Sequence, residues 1–121
     1  LEVSIQSKTM DKAFAICRSN TKHLYWSMRQ QLAHHTVTGC NMMPGDLLGS
    51  GTISGSTPDS FGSLLEICWK GTKPLVLPTS EERKFLHDGD TIKLTGYCQA
   101  NGYRIGFGEC TGSILPPINK T

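Results

Sequence analysis

With 121 residues, 37 % of them apolar, and with 13 Gly and 6 Pro, the chain has the length of one domain or a piece of one, and its composition favours turns and short strands over a helical bundle. Twelve Lys and Arg against ten Asp and Glu leave a formal charge of +2, scattered with no basic run longer than Arg83-Lys84, which argues against nucleic-acid binding. No apolar stretch approaches a membrane-spanning length.

The cysteines, Cys17, Cys40, Cys68, Cys98 and Cys110, are odd in number and widely spaced, with no C-x-x-C pair, so a zinc knuckle is disfavoured. Without a secretory leader they are expected to be reduced thiols in a cytosolic protein. The sequon Asn119-Lys120-Thr121 carries little weight for the same reason. The chain opens at Leu1, inside an alternating strand pattern, and the expectation is a cut through a larger protein.

Leu1, Val3 and Ile5 alternate with Glu2, Ser4 and Gln6 at the period of a half-buried strand, and Ser7 to Lys12 should turn. Ser19 or Asn20 is a candidate cap for a helix running to about His35, with Leu24, Met28 and Leu32 recurring every fourth residue and Gly39 at its stop. That helix is expected to cover a sheet. Pro44-Gly45-Asp46 is a turn signal, and the glycine-spaced run Gly49 to Gly55 follows.

Pro58 to Gly62 reads as loop. Ser63 to Lys70 reads as a strand with Leu64, Glu66 and Cys68 on one face and Leu65, Ile67 and Trp69 on the other. Leu75-Val76-Leu77 and Arg83 to Leu86 are short strand candidates. Asp88-Gly89-Asp90 is a turn rather than a ligand pair. Thr91 to Gln99 should pair, across the reversal Ala100-Asn101-Gly102, with a strand carrying Tyr103, Ile105 and Phe107. The expected fold class is therefore β-rich, mixed β with one main helix.

Glu66 stands out chemically. A carboxylate between Leu64 and Cys68 on a strand face is costly to bury unless it is paired, and a histidine partner would satisfy it while fixing the imidazole tautomer. The alternatives are a solvent-facing glutamate or a structural salt bridge. In Gly49 to Gly55 three glycines permit close backbone approach, and Thr52 and Ser54 add hydroxyl donors suited to a carboxylate or oxyanion; a glycine-kinked strand is the alternative.

His34-His35 are adjacent and share no helical face, so they form no metal pair, and a helix C-terminus suffices to explain them. His23 and His87 have no carboxylate or histidine at ligand spacing. No hard-cation carboxylate cluster, H-E-x-x-H, Walker loop or nucleophile elbow occurs. The residues alone thus describe a half-site of one orienting acid and one binding loop.

The run His34-His35-Thr36-Val37-Thr38-Gly39-Cys40-Asn41, then Pro44 to Leu48 and Ser50-Gly51-Thr52-Ile53-Ser54-Gly55, closely resembles the fumarylacetoacetase family. So do Ser60 to Ser63, Leu65-Glu66, Trp69 to Lys73, Asp88-Gly89-Asp90, Thr95 to Gln99 and Gly102 to Gly108. Cys17 to Asn20 and Tyr25-Trp26 also match that family's C-terminal region, whereas Pro74 to Glu82 does not and should be a variable loop.

The resemblance implies that residues 1–121 are the C-terminal segment of a β-roll catalytic domain, without its upstream part or an N-terminal SH3-like domain. It implies hydrolysis of the carbon–carbon bond of fumarylacetoacetate, a small diketo acid, to fumarate and acetoacetate in tyrosine and phenylalanine catabolism. It also implies a cytoplasmic homodimer using Ca2+ or Mg2+, with no nucleic-acid or membrane partner.

By this resemblance Thr52 corresponds to a substrate-contacting threonine and Glu66 to the acid that orients the catalytic histidine. The histidine itself, every metal ligand and the remaining substrate contacts are implied to lie upstream, so this segment alone is expected to be inactive. A catalytically inactive truncated member serving as a binding or dimerisation module is the alternative, and an unrelated small β-protein with a ligand loop is the third.

Overall fold

The computed structural model describes residues 1–118; the sequon at Asn119 lies outside them. The described residues form six strands and two α-helices, in the order β1 (Glu2–Gln6), β2 (Phe14–Arg18), α1 (Met28–Thr36), α2 (Leu64–Ile67), β3 (Leu75–Val76), β4 (Glu82–Arg83), β5 (Thr91–Ala100) and β6 (Tyr103–Ser113). The β-rich expectation is met.

Four strands form an antiparallel sheet in the order β2-β1-β5-β6, and β3 and β4 form a separate two-stranded ribbon. The β5–β6 hairpin turns at Asn101-Gly102, where Gly102 takes a φ of 82° that a side chain would disfavour. Strand β2 was not anticipated: the alternation of Phe14, Ile16 and Arg18 is weak, and it is paired through Val3↔Cys17 and Ile5↔Phe14 across a bulge at Val3/Ser4.

Alternation in β1 sets which face is covered. Ile5, fully buried, packs with Met10 and Leu77, and Ile16, Leu75, Leu86 and Ile92 close around them. Full burial of such a side chain is worth about 1.5–3 kcal/mol. Two residues along, Val3 lies opposite Cys17 on one side and Leu94 on the other, and Leu94 lies opposite Cys110. Directly paired residues share a sheet face, so Cys17, Val3, Leu94 and Cys110 form one cross-strand row beside the Ile5 core.

A buried ion pair links β4 to the turn before β5. Arg83 donates from Nε to Asp90 Oδ2 at 2.8 Å and from its second guanidinium nitrogen to Oδ1 at 2.9 Å, with both residues buried. The same guanidinium reaches Glu81 at 3.2 Å. Glu81 also accepts from the hydroxyls of Ser7, Thr9 and Thr79, which ties the turn after β1 to the β3–β4 ribbon. Asp90 further accepts from the His87 backbone N–H at 2.9 Å, which fixes the Asp88-Gly89-Asp90 turn.

Three expectations are corrected. The main helix spans only Met28–Thr36, because Ser27 and Gln30 form a capping box that starts it there, while Asn20 caps a separate 3-10 turn at Thr21–His23. Its Met28 and Leu32 are exposed and cover no sheet among the described residues. The segment Ser63 to Lys70 is not a strand: Ser63 caps the short helix α2, after which Trp69, Lys70 and Gly71 all take positive φ and reverse the chain. Finally, the strand expected at Arg83 to Leu86 is the two-residue β4, with Arg83 at its end.

Candidate functional site around Thr52 and Glu66

Three segments meet beside the cross-strand row. The loop Gly51 to Gly55 is anchored to the sheet edge by the Ser19 hydroxyl, which donates to the Ile53 carbonyl at 2.7 Å. The Gly55 N–H donates to the Ser60 carbonyl at 3.0 Å, which brings the 3-10 turn Pro58–Ser60 alongside. The chain then passes Gly62 and enters α2, which carries Glu66.

Close approach of these segments depends on Gly62. A Cβ there would lie 2.6 Å from the Ile53 carbonyl oxygen and 2.8 Å from the Thr52 methyl. With no side chain, Gly62 lets its N–H donate to the Ser54 hydroxyl at 3.0 Å. Ser54 in turn donates to Glu66 Oε2 at 2.6 Å, and the Ser63 hydroxyl reaches the same oxygen at 3.2 Å. Among the described residues nothing donates to the second oxygen, Oε1.

Glu66 is therefore not the buried strand acid expected from its apolar neighbours. It is exposed, in the first turn of α2 after the Ser63 cap, and the hydroxyls of Ser54 and Ser63 hold it rather than burial. Ser54 was expected to donate to a bound anion, but its hydroxyl is spent on Glu66. The spacing Ser63-x-x-Glu66 is that of a capping box and was the signal in the sequence for a helix start here. Only half of the box forms: the Glu66 N–H donates to Ser63 Oγ at 3.3 Å, while the carboxylate turns to the hydroxyls.

Thr52 is exposed on the loop two residues before Ser54, so the two residues singled out in the sequence lie on adjoining segments. Together with Gly51, Ile53 and Gly62 it borders a cleft of about 460 Å3 whose floor is the row Cys17, Val3, Leu94 and Cys110, with Phe107 at one side. Burial pushes the Cys17 thiol up from its ordinary value; the N-terminal amine pulls it down by less, and the carboxylates of Asp59 and Glu66 add still smaller upward pushes. Cys17 is accordingly an unreactive wall of this cleft rather than a nucleophile.

No histidine hydrogen-bonds Glu66 among the described residues. His34 and His35 end α1, with the His35 imidazole 3.6 Å from the exposed Cys40 sulfur. Nowhere among the described residues do three His, Cys, Asp or Glu side chains converge, and Asp90, the most buried carboxylate, is engaged by Arg83. This donor set does not fit a calcium or magnesium site, which needs several oxygen ligands. Nor is any described helix long and apolar enough to cross a membrane.

Comparison with known proteins agrees with the motif reading. The family model described as fumarylacetoacetate (FAA) hydrolase C-terminal matches residues 10–115. Similar curated proteins include the fumarylacetoacetase of Homo sapiens, 58 % identical over 118 residues, and that of Dictyostelium discoideum, 59 % identical over 118 residues. The fumarylacetoacetase of Arabidopsis thaliana is 53 % identical over 116 residues. These alignments cover 98 %, 96 % and 96 % of the chain but only 28 %, 28 % and 27 % of the respective relatives. A match across nearly the whole chain, reaching from β1 through the Thr52 loop and α2 to the β5–β6 hairpin, leaves one conclusion: the chain belongs to the fumarylacetoacetate hydrolase C-terminal family.

Proposed function

We propose that this chain forms part of a fumarylacetoacetase, which adds water across the carbon–carbon bond of fumarylacetoacetate and releases fumarate and acetoacetate, a step of tyrosine and phenylalanine catabolism. The observation that carries this reading is the state of Glu66: one carboxylate oxygen is fixed by two hydroxyls and the other is left as an acceptor, on a segment seated against the Thr52 loop.

A carboxylate held in this way can take the N–H of an imidazole. That contact selects one tautomer and stabilises the imidazolium formed when the histidine removes a proton from the attacking water. The histidine comes from sequence outside this chain. Thr52, exposed at the cleft, supplies a hydroxyl to the diketo acid and holds the reacting carbonyl in place. In the complete enzyme a divalent cation, calcium or magnesium, is held by ligands outside this chain. The complete enzyme is a cytoplasmic homodimer in this reading.

The test compares the 121-residue chain alone with a hybrid in which it replaces the matching 28 % of the human relative. Absence of fumarylacetoacetate hydrolysis by the chain alone, with calcium or magnesium present, and recovery of hydrolysis in the hybrid is the expected pair of results. A folded hybrid without activity would favour an inactive family member instead.

A further inference from the structure

We propose that Ser54 is a positioning residue that fixes the Glu66 carboxylate; this rests on the reading of Glu66 as the acid that orients the histidine. Two observations carry it. A serine hydroxyl has a single proton and two acceptor lone pairs. The Glu66 carboxylate can only accept, so the Ser54 proton goes to its Oε2 at 2.6 Å, while the Gly62 N–H donates to Ser54 Oγ at 3.0 Å. That distance is in the range of a short, charge-assisted O–H···O bond.

The second observation concerns where the three residues sit. Ser54 lies on the loop that presents Thr52, Gly62 on the connection, and Glu66 on α2. The contact between loop and connection is tight enough that Gly62 has no room for a methyl group. The chain Gly62 N–H to Ser54 to Glu66 therefore transmits the loop position to the carboxylate. Ser63 adds a longer bond, 3.2 Å, to the same oxygen, but it moves with α2 and cannot register α2 against the loop. Ser54 makes that link. A short helix with an exposed carboxylate would otherwise leave Glu66 free among its rotamers, and misplacement of about 1 Å can cost roughly a hundredfold in rate.

The experiment uses the complete enzyme with the upstream sequence in place. Ser54→Ala should lower kcat roughly tenfold to a hundredfold with KM changed less than about threefold. Ser54→Thr, which keeps the hydroxyl, should recover most of the loss. In the Glu66→Ala background, Ser54→Ala should add no further loss, because its effect runs through that carboxylate. Ser54→Cys, close in size and a weak donor, is read in the same way if the alanine variant fails to fold. Wild-type kcat in Ser54→Ala beside an impaired Glu66→Ala would overturn the role of Ser54 alone. Undiminished loss in the double variant would do the same. Wild-type turnover in Glu66→Ala would overturn both this role and the reading on which it rests.

Discussion

The carbonyl of Ile53 occupies the space that a β-carbon on residue 62 would need: the two would stand 2.6 Å apart. This contact sets the separation between the loop that presents Thr52 and the segment that presents Glu66. Gly62→Ala should therefore push the two apart, costing about 1–3 kcal/mol in stability and, in the complete enzyme, activity beyond that expected from stability alone. Thermal denaturation together with steady-state kinetics measures both. An alanine variant with unaltered stability and turnover would show that the segments are not held at this spacing.

Thr52 offers a different signature. Thr52→Val keeps the shape and the methyl that rests on Gly62 but removes the hydroxyl. In the complete enzyme KM for fumarylacetoacetate should rise about tenfold, the equivalent of losing one hydrogen bond of about 1.4 kcal/mol, with kcat less affected. An unchanged KM would argue against contact between this residue and the substrate.

Stability should depend on the buried Arg83–Asp90 pair, which does not line the cleft. Asp90→Asn leaves the buried Arg83 guanidinium, 5 % exposed, with only the more exposed Glu81 at 3.2 Å as a counter-charge, and breaking a buried pair costs up to about 3–5 kcal/mol. A urea midpoint within error of the wild type would contradict the geometry.

The neighbouring Glu81 gives a pH dependence. Hydrogen bonds from Ser7, Thr79 and Thr9, with a further one from Arg83, lower its pKa from 4.5 to about 2. The Arg83 hydrogen bonds likewise hold Asp90 below the usual carboxylate range. Between the two Glu81 values the unfolded chain binds more protons than the folded one, so stability rises with pH in this window and is lost as pH falls toward 2. Glu81→Gln should flatten that slope, as read from denaturation midpoints at several pH values. A slope as steep as that of the wild type would exclude Glu81 as its source.

Much of the sheet could be read from apolar alternation and turn signals, although burial does not follow the alternation strictly: Ser4 and Ile5, neighbours in β1, are both buried. Leu1-Val3-Ile5, Thr91 to Gln99 and the Asn101-Gly102 reversal appear in the structure as β1, β5 and the β5–β6 hairpin. The same rule failed at Leu65, Ile67 and Trp69, whose alternation is fortuitous: a serine cap at Ser63 and three left-handed residues at Trp69 to Gly71 dictate a short helix and a reversal instead.

Four-residue spacing of Leu24, Met28 and Leu32 likewise overstated the helix, since Ser27 begins it late and its apolar side chains remain exposed. At the candidate site, composition drew attention to Thr52 and Glu66, but the link through Ser54 was not legible. It depends on a contact 12 residues apart in sequence that only the Gly62 approach makes possible.

Steady-state kinetics of Glu66→Ala in the complete enzyme bear most directly on the half-site. Losing the oriented carboxylate should lower kcat by roughly a hundredfold or more while KM stays within a fewfold of its original value, because the substrate contacts are untouched and only the imidazole is left unaligned. A kcat equal to that of the unmutated enzyme would contradict the account.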